Sequence, residues 1–447
     1  YIGVGNGTPW NRRLRSPSGG DNLFLSSILA LKPDTGEYVW HYQTTPGESW
    51  DFNSTMDMVL AELPIDGQAR KVLMHAPKNG FFYVLDREDG ELLSAEKLGK
   101  VTWAERVDLE TGRPVEVRGA RYENGEALIW PGSAGMHNWH PMAFSPDTGL
   151  MYIPTREMPG YYNDEGRDPR HWKMSAQDPM GLAGFFEDVP TQAGSSALLA
   201  WDPLSQSKAW EVDTPGLSNG GLITTAGGLV FQGRADGRFV AHDAATGEEL
   251  WSHHMGVGTQ AAPMTFTVDG QQHVAVLAGW GGSQMLMGSL SAQFGWVGRQ
   301  HPRRLLVYAL DGDAPLPPSG EPGRPAPTDD PDFVVDAAAA ERGKKIYFKG
   351  CAICHGSGVV AGGYAPDLRA SGVPLSETAF AAIVRDGALT SRGMPVFPEY
   401  SEAELSALRH YIRQQARREP SAWEDVKAVW NFLVLLVKMK LLSLGWI

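Results

Sequence analysis

The segment Phe239-Val240-Ala241-His242-Asp243-Ala244-Ala245-Thr246-Gly247, running on to Trp251, reads as a short apolar strand, a tight turn and a second strand that ends in tryptophan. The turn chemistry is explicit. An aspartate hydrogen-bonds nearby backbone N–H groups, and glycine supplies the positive φ that closes the hairpin. The same unit recurs at residues 28–36 running to Trp40, at residues 82–90, and at residues 198–202 running to Trp210. Such repetition over residues 1–310 predicts a mainly β chain folded as a β-propeller, whose blades are antiparallel sheets around an axis. On this reading Trp40, Trp210 and Trp251 are core aromatics packed between neighbouring blades, with no part in chemistry.

Composition agrees. The 447 residues include 52 glycines, 31 prolines and 15 tryptophans, which favours turns and strands over helix bundles. The length suits two or three domains. A formal net charge of −13 argues against nucleic acid or an anionic membrane surface as partner. Residues 311–332 carry Pro315, Pro317, Pro318, Pro322, Pro325, Pro327 and Pro331 and read as a semi-rigid linker.

Residues 333–418 change character. Asp336 is placed to cap a helix running to about Phe348, with Gly343 and Tyr347 one turn apart. Ser401-Glu402-Ala403-Glu404 is a capping box that opens a helix with Leu405, Leu408, Tyr411 and Ile412 on one face. Between them lies Cys351-Ala352-Ile353-Cys354-His355, which holds the only two cysteines of the chain. C-x-x-C-H is the attachment pattern for haem c: two thiols form thioethers and the adjacent His355 becomes an axial ligand of the iron. Met394 in Arg392-Gly393-Met394-Pro395 is placed as the second axial ligand, and a His/Met pair raises the potential as a one-electron carrier needs. A zinc half-site or a redox dithiol would use the same cysteines. Zinc would want a second pair of ligands, and none stands nearby; a dithiol would want βαβ flanks, and these are helical. Two helices flanking such a loop describe an all-α class I cytochrome c domain.

Haem c is attached outside the cytoplasm, so a periplasmic protein is expected. The sequence opens on Tyr1 with no signal peptide, and its natural N-terminus is expected to lie upstream. In the tail, 419–447, an apolar run from Val429 to Val437 is too short to span a bilayer. It reads as an interfacial or docking helix, or as a tail packed on the protein itself.

Four polar stretches interrupt the strands: Gly3-Val4-Gly5-Asn6-Gly7-Thr8-Pro9-Trp10, Glu48-Ser49-Trp50-Asp51-Phe52, His75-Ala76-Pro77-Lys78-Asn79-Gly80 and Met136-His137-Asn138-Trp139-His140-Pro141. Taken singly, Asn6 reads as a turn residue, Asp51 as a surface or cap residue and Lys78 as solvated. Together with Gly19-Gly20-Asp21-Asn22, Gly279-Trp280-Gly281-Gly282 and the C-x-x-C-H motif, in this order, they make the chain resemble the quinohaemoprotein alcohol dehydrogenases from Tyr1 to about residue 418. That family joins an eight-bladed propeller carrying pyrroloquinoline quinone (PQQ) to a C-terminal cytochrome c.

The resemblance implies roles. Asn6 and Asp51 would be Ca²⁺ ligands, with Asp51 also the catalytic base. Lys78, Asn138, Trp139 and Trp280 would contact PQQ. Cys351 and Cys354 would hold haem c covalently, and His355 and Met394 would bind its iron. Asp21 reads as structural. Lanthanide-dependent relatives place an extra aspartate two residues after the base, where this chain has Asn53, so calcium is expected. The implied activity is oxidation of primary alcohols to aldehydes, with electrons passing from PQQ to haem c and on to a soluble redox protein or a quinone. The family's first blades are absent here, and with them a Glu ligand to calcium, an adjacent-cysteine disulfide and the tryptophan beneath PQQ. An incomplete propeller is therefore expected. Two alternatives stand beside this reading: an electron-transfer cytochrome whose propeller is only a docking scaffold, and a related enzyme acting on polymeric or cyclic alcohols. The segment from Tyr161 to Phe186 is a candidate lid.

Overall fold

The computed structural model describes residues 1–164, 166–175, 178–182, 194–281, 294, 301, 303–318, 325–418, 433–437 and 440–441. Among these, the strands form antiparallel meanders. Four-stranded sheets occupy residues 58–97, 143–214 and 222–254, and three-stranded sheets residues 2–43 and 264–309. Two-stranded ribbons pair Ala104–Asp108 with Arg113–Glu116 and Glu126–Ile129 with Gly160–Asn163; the first three of these strands follow the sheet at 58–97 in the chain, and the last falls between strands of the sheet at 143–214. These are propeller-type sheets, and a helical cytochrome region follows them.

The repeated hairpin turn is seen directly. Gly36, Gly90 and Gly247 have φ of +72°, +82° and +78°, and each donates its N–H to the carbonyl four residues back, on Lys32, Asp86 and Asp243. In the unit at residues 198–202, Gln206 takes the left-handed position at φ +51°. At two turns glycine is required for a second reason. A Cβ on Gly90 would lie 2.7 Å from the Trp40 ring, and one on Gly247 would lie 2.7 Å from the Trp210 ring. Each tryptophan packs on the turn of the next sheet and donates its indole N–H into that turn, Trp40 to the Arg87 carbonyl (3.2 Å) and Trp210 to the Ala244 carbonyl (3.1 Å). Ser94 makes the equivalent link in the sheet at 58–97, where its hydroxyl accepts from the Gln206 amide at 2.9 Å. Trp251 departs from the expectation of a core aromatic. It is 41% exposed. Its ring packs on Tyr308 and Phe239, but no turn glycine approaches its face among the described residues.

The helical region is built on two crossing helices. Ala337–Gly350 starts at Asp336, whose carboxylate accepts from the N–H groups of Ala338 and Ala339. Glu402–Ala416 starts with the Ser401/Glu404 capping box. They cross at Gly343, where a Cβ would lie 1.9 Å from the Ala407 carbonyl oxygen. One turn on, the Tyr347 and Tyr411 rings pack at a tilt of 56° with centroids 5.2 Å apart. Buried Arg413 ties the end of the Pro-rich segment to this unit by donating to the Thr328 carbonyl (2.7 Å) and the Leu368 carbonyl (2.6 Å).

Most of the tail, 419–447, and residues 165, 176–177 and 183–186 of the candidate lid lie outside the described residues. Where the tail is described, Leu435 and Leu436 pack against Leu128, Trp130, Met158, Tyr161 and Leu217 of the propeller. No helix among the described residues is long and apolar enough to cross a membrane.

The helix crossing yields a test. Gly343→Ala inserts a methyl group where backbone already lies, and overpacking of this kind destabilises by about 1–3 kcal/mol. The melting temperature followed at the cytochrome helices should fall accordingly, while Gly372→Ala in the same region, at φ −75° and with nothing near its added Cβ, should cost less.

Candidate functional site

Asp51 sits at φ +68°, in the left-handed region. Its segment makes no regular sheet, so side chains hold it. Every carbonyl from residue 46 to residue 50 has a side-chain donor. Arg121 donates to Pro46 and Gly47, Arg15 to Glu48, Tyr122 to Ser49 and Tyr162 to Trp50. The Arg121 guanidinium also lies 4.8 Å over the Trp50 ring. From the other side, the fully buried Glu48 carboxylate accepts from the backbone N–H of Trp50 and of Phe52. Buried polar groups satisfied this completely make a rigid frame.

Asp51 accepts a hydrogen bond from the Lys78 ammonium at 2.9 Å, and Lys78 is only 7% exposed. Burial pushes the Asp51 carboxyl up to about 6, with Glu48 adding repulsion, while Lys78 and a hydrogen bond from Asn6 oppose the shift. Asn6 also donates its amide to Glu48 at 3.3 Å, and its backbone N–H donates to the Asn53 side-chain oxygen at 3.1 Å. The structure thus gathers Asn6, Asp51 and Lys78. It also gives Asn53 a backbone-capping contact, apart from its bearing on the metal.

The loop after residue 130 closes over Lys78. The Lys78 carbonyl accepts from the Met136 N–H at 3.1 Å, and a Cβ on Gly135 would lie 2.6 Å from Lys78 Cγ. Asn138 uses its amide within its own loop, donating to the Ala134 carbonyl at 2.8 Å and accepting from the Trp139 N–H. Trp139 is 42% exposed and stacks on His140 at 4.0 Å. Trp280 is buried in the core shared by the sheets at 222–254 and 264–309, with Phe231, Phe239 and Val276. Its buried indole N–H has no hydrogen-bond partner among the described residues. Asp21 forms a two-pronged pair with Arg113 at 2.9 and 3.0 Å, and its carbonyl accepts from the Gly47 N–H at 2.9 Å.

These residues fit the groups that the motifs imply. Calcium takes hard oxygen donors; Asp51 supplies a carboxylate that burial has left short of positive charge, and Asn6 an amide oxygen. Among the described residues no three His, Cys, Asp or Glu side chains converge, so a metal here would draw on amide oxygen as well as carboxylate. An anionic quinone would find the Lys78 ammonium held in place by Asp51 and by the 135–136 backbone.

At the cytochrome end, Cys351 closes the helix Ala337–Gly350, and Ala352–His355 forms one further turn. His355 is buried, and its Nδ1 lies 2.8 Å from the Pro366 carbonyl. Nδ1 therefore carries the proton, leaving Nε2 free to bind iron. Burial pushes His355 down and the Cys351 thiol up to about 12. Met394 follows Gly393, at φ +88°, and packs against the same apolar cluster as Cys351, with Tyr347, Val359, Phe397 and Leu408.

Sequence reading missed the frame around Asp51. Glu48 was visible as part of a polar stretch, but nothing local marks Arg15, Tyr122 or Tyr162 as its companions.

The comparisons agree with this architecture. Residues 1–101 and 199–274 match the family model for the glucose/ethanol/alcohol dehydrogenase beta-propeller domain, and residues 338–412 match that for cbb3-type cytochrome c oxidase subunit III. Quinohemoprotein alcohol dehydrogenase ADH IIB of Pseudomonas putida is 52% identical over 417 residues, covering 92% of this chain and 59% of that protein. The structure of ADHIIG from Pseudomonas putida HK5 superposes with a TM-score of 0.81 at 42% identity, covering 95% of this chain and 62% of that one. The quinohemoprotein alcohol dehydrogenase of Comamonas testosteroni gives 0.80 at 40% identity, covering 93% and 61%. The chain thus spans about three fifths of the length of the relatives it matches. With both halves matched in order, the chain belongs to the quinohemoprotein alcohol dehydrogenase family, whose cofactors are PQQ, Ca²⁺ and haem c.

Proposed function

We propose that this chain carries the alcohol-oxidising and electron-transferring parts of a periplasmic dehydrogenase that converts primary alcohols to aldehydes. The single observation that carries the reading is the buried Asp51–Lys78 pair with Asn6 against it, in a member of a family named for this chemistry. Bound PQQ supplies the two-electron redox centre, with Ca²⁺ polarising it.

The residues have separate tasks. Asp51, ionised once a cation neutralises its environment, takes the hydroxyl proton of the alcohol. Lys78 puts fixed positive charge where negative charge develops, in a site that excludes water. Asn6 offers the metal an oxygen while its amide N–H group is held by Glu48. Asn138 closes its loop, and through that loop it shapes the wall beside Lys78. Trp139 presents a half-exposed ring at the same wall, and Trp280 contributes from the core shared by the last two sheets. Cys351 and Cys354 would hold the haem and His355 and Met394 would bind its iron, a one-electron centre that would pass electrons to a soluble redox protein or a quinone. The packing of Leu435 and Leu436 on the propeller supports a docked tail over a membrane-bound one.

Three outcomes test the reading in the full-length protein loaded with its cofactors. Asp51→Asn should lower kcat/KM for a primary alcohol by roughly 10³-fold, within the range of a lost general base, with the haem spectrum unchanged. Calcium competes with a proton for Asp51, whose carboxyl lies at about 6 before metal binds. Apparent Ca²⁺ affinity should hold above pH 6 and fall about tenfold per pH unit below it, as read by equilibrium dialysis. Met394→His should leave the haem attached but lower its midpoint potential in a redox titration, because methionine ligation raises that potential.

A further inference from the structure

His137 is fully buried, and both of its ring nitrogens face carbonyl oxygens. Nδ1 lies 2.7 Å from the Ala76 carbonyl, and Nε2 lies 2.8 Å from the His140 carbonyl. A carbonyl only accepts, and a neutral imidazole has a single N–H. A neutral ring would therefore set a nitrogen lone pair against an oxygen lone pair at one of these contacts. The cation satisfies both.

A second observation supplies the counter-charge. Asp57 Oδ1 lies 4.0 Å from His137 Nε2 and is buried without a hydrogen-bond partner among the described residues. Its other oxygen accepts from the Met142 N–H at 2.9 Å. The remaining titratable groups around the ring do not compete for that carboxylate. His75, with Nδ1 on the Asp57 backbone carbonyl at 3.2 Å, is held neutral by burial, down to about 4. Burial also pushes His140 down, and Ser218 lies 3.3 Å from its Nε2. Arg156, buried, joins the same loop through its backbone N–H to the Met136 carbonyl.

The ring bridges Ala76, two residues before Lys78, to His140, two residues after Asn138. We infer that His137 is a buried imidazolium paired with Asp57, which staples the 136–140 loop to the 76–78 segment and so positions Lys78 for the quinone. It is a positioning residue, and its role in cofactor binding rests on the quinone reading given above.

The test uses full-length protein labelled with ¹⁵N-histidine, with His137→Gln to assign the signals. At pH 7 both His137 nitrogens should show a bonded proton, and in Asp57→Asn the ring should revert to a single N–H. His137→Gln should weaken binding of added PQQ, measured with Ca²⁺ present, on the order of tenfold, the scale of an orienting contact behind a ligand-holding group. Haem absorbance should not change. A neutral His137 in the wild-type protein would overturn the inference, as would PQQ affinity that is unchanged in His137→Gln. A charged His137 in a wild-type protein that does not bind PQQ would instead sink the quinone reading and leave the His137–Asp57 pair standing.

Discussion

A carboxylate is held out of water against a single lysine, and loops, a short helix and a two-stranded ribbon are arranged to keep it there. Asp51 and Lys78 pair at 2.9 Å with side chains 17% and 9% exposed. Removing one member of such a pair leaves an uncompensated buried charge, which costs about 3–5 kcal/mol. Lysine alone does not cancel the cost of burial, so Asp51 stays well above the ordinary carboxylate range. A site in that condition gains from a cation. The local geometry is also costly, because a non-glycine residue at positive φ persists only where its surroundings over-determine it. Here the surroundings do so through five consecutive carbonyls met by two arginines and two tyrosines, and through Glu48 gripping the N–H groups of Trp50 and Phe52.

That frame is carried by the packing between sheets. Trp40 lies on Gly90 and Trp210 on Gly247, each with an indole hydrogen bond into the turn beneath it. These contacts fix one sheet against the next at its outer turn. The loops at the polar end then inherit a fixed spacing, which lets the 135–136 backbone close on Lys78. Sites set on rigid elements and backed by a second layer of hydrogen bonds hold their geometry better than sites on free loops. The cytochrome region follows the same logic at smaller scale: Gly343 brings two helices into backbone contact, and the C-x-x-C-H turn springs from the end of the first. Arg413 locks the incoming chain at Thr328 to that unit.

Several features were legible from the order of residues alone. The hairpin units were, because turn chemistry is local: an aspartate and a glycine a few residues apart suffice. The haem motif was, because covalent attachment demands two thiols and a histidine at fixed spacing. The Ser401/Glu404 and Asp336 caps were, because capping acts within one turn of helix. The convergence of Asn6, Asp51 and Lys78 was reached only through the family resemblance, and the structure brings those three side chains together.

Other features were decided only by the tertiary structure. Tyr162 reaches the Trp50 carbonyl across 112 positions, and Tyr122 reaches the Ser49 carbonyl across 73; a hydrogen bond between such distant residues leaves no periodic trace. Trp251 carries the same local pattern as Trp40 and Trp210 yet stands half exposed, because burial depends on what packs over a ring and not on the hairpin that bears it. Asn138 spends its amide on its own loop, and Trp280 lies in a core. The charge on His137 follows from two carbonyls and a carboxylate that three separate segments place around it. Sequence determines what each residue can donate, accept or bind within a few positions, since those interactions are short in the chain. Which groups lose water, and which then require a partner, is set by the packing of segments that the chain order keeps far apart.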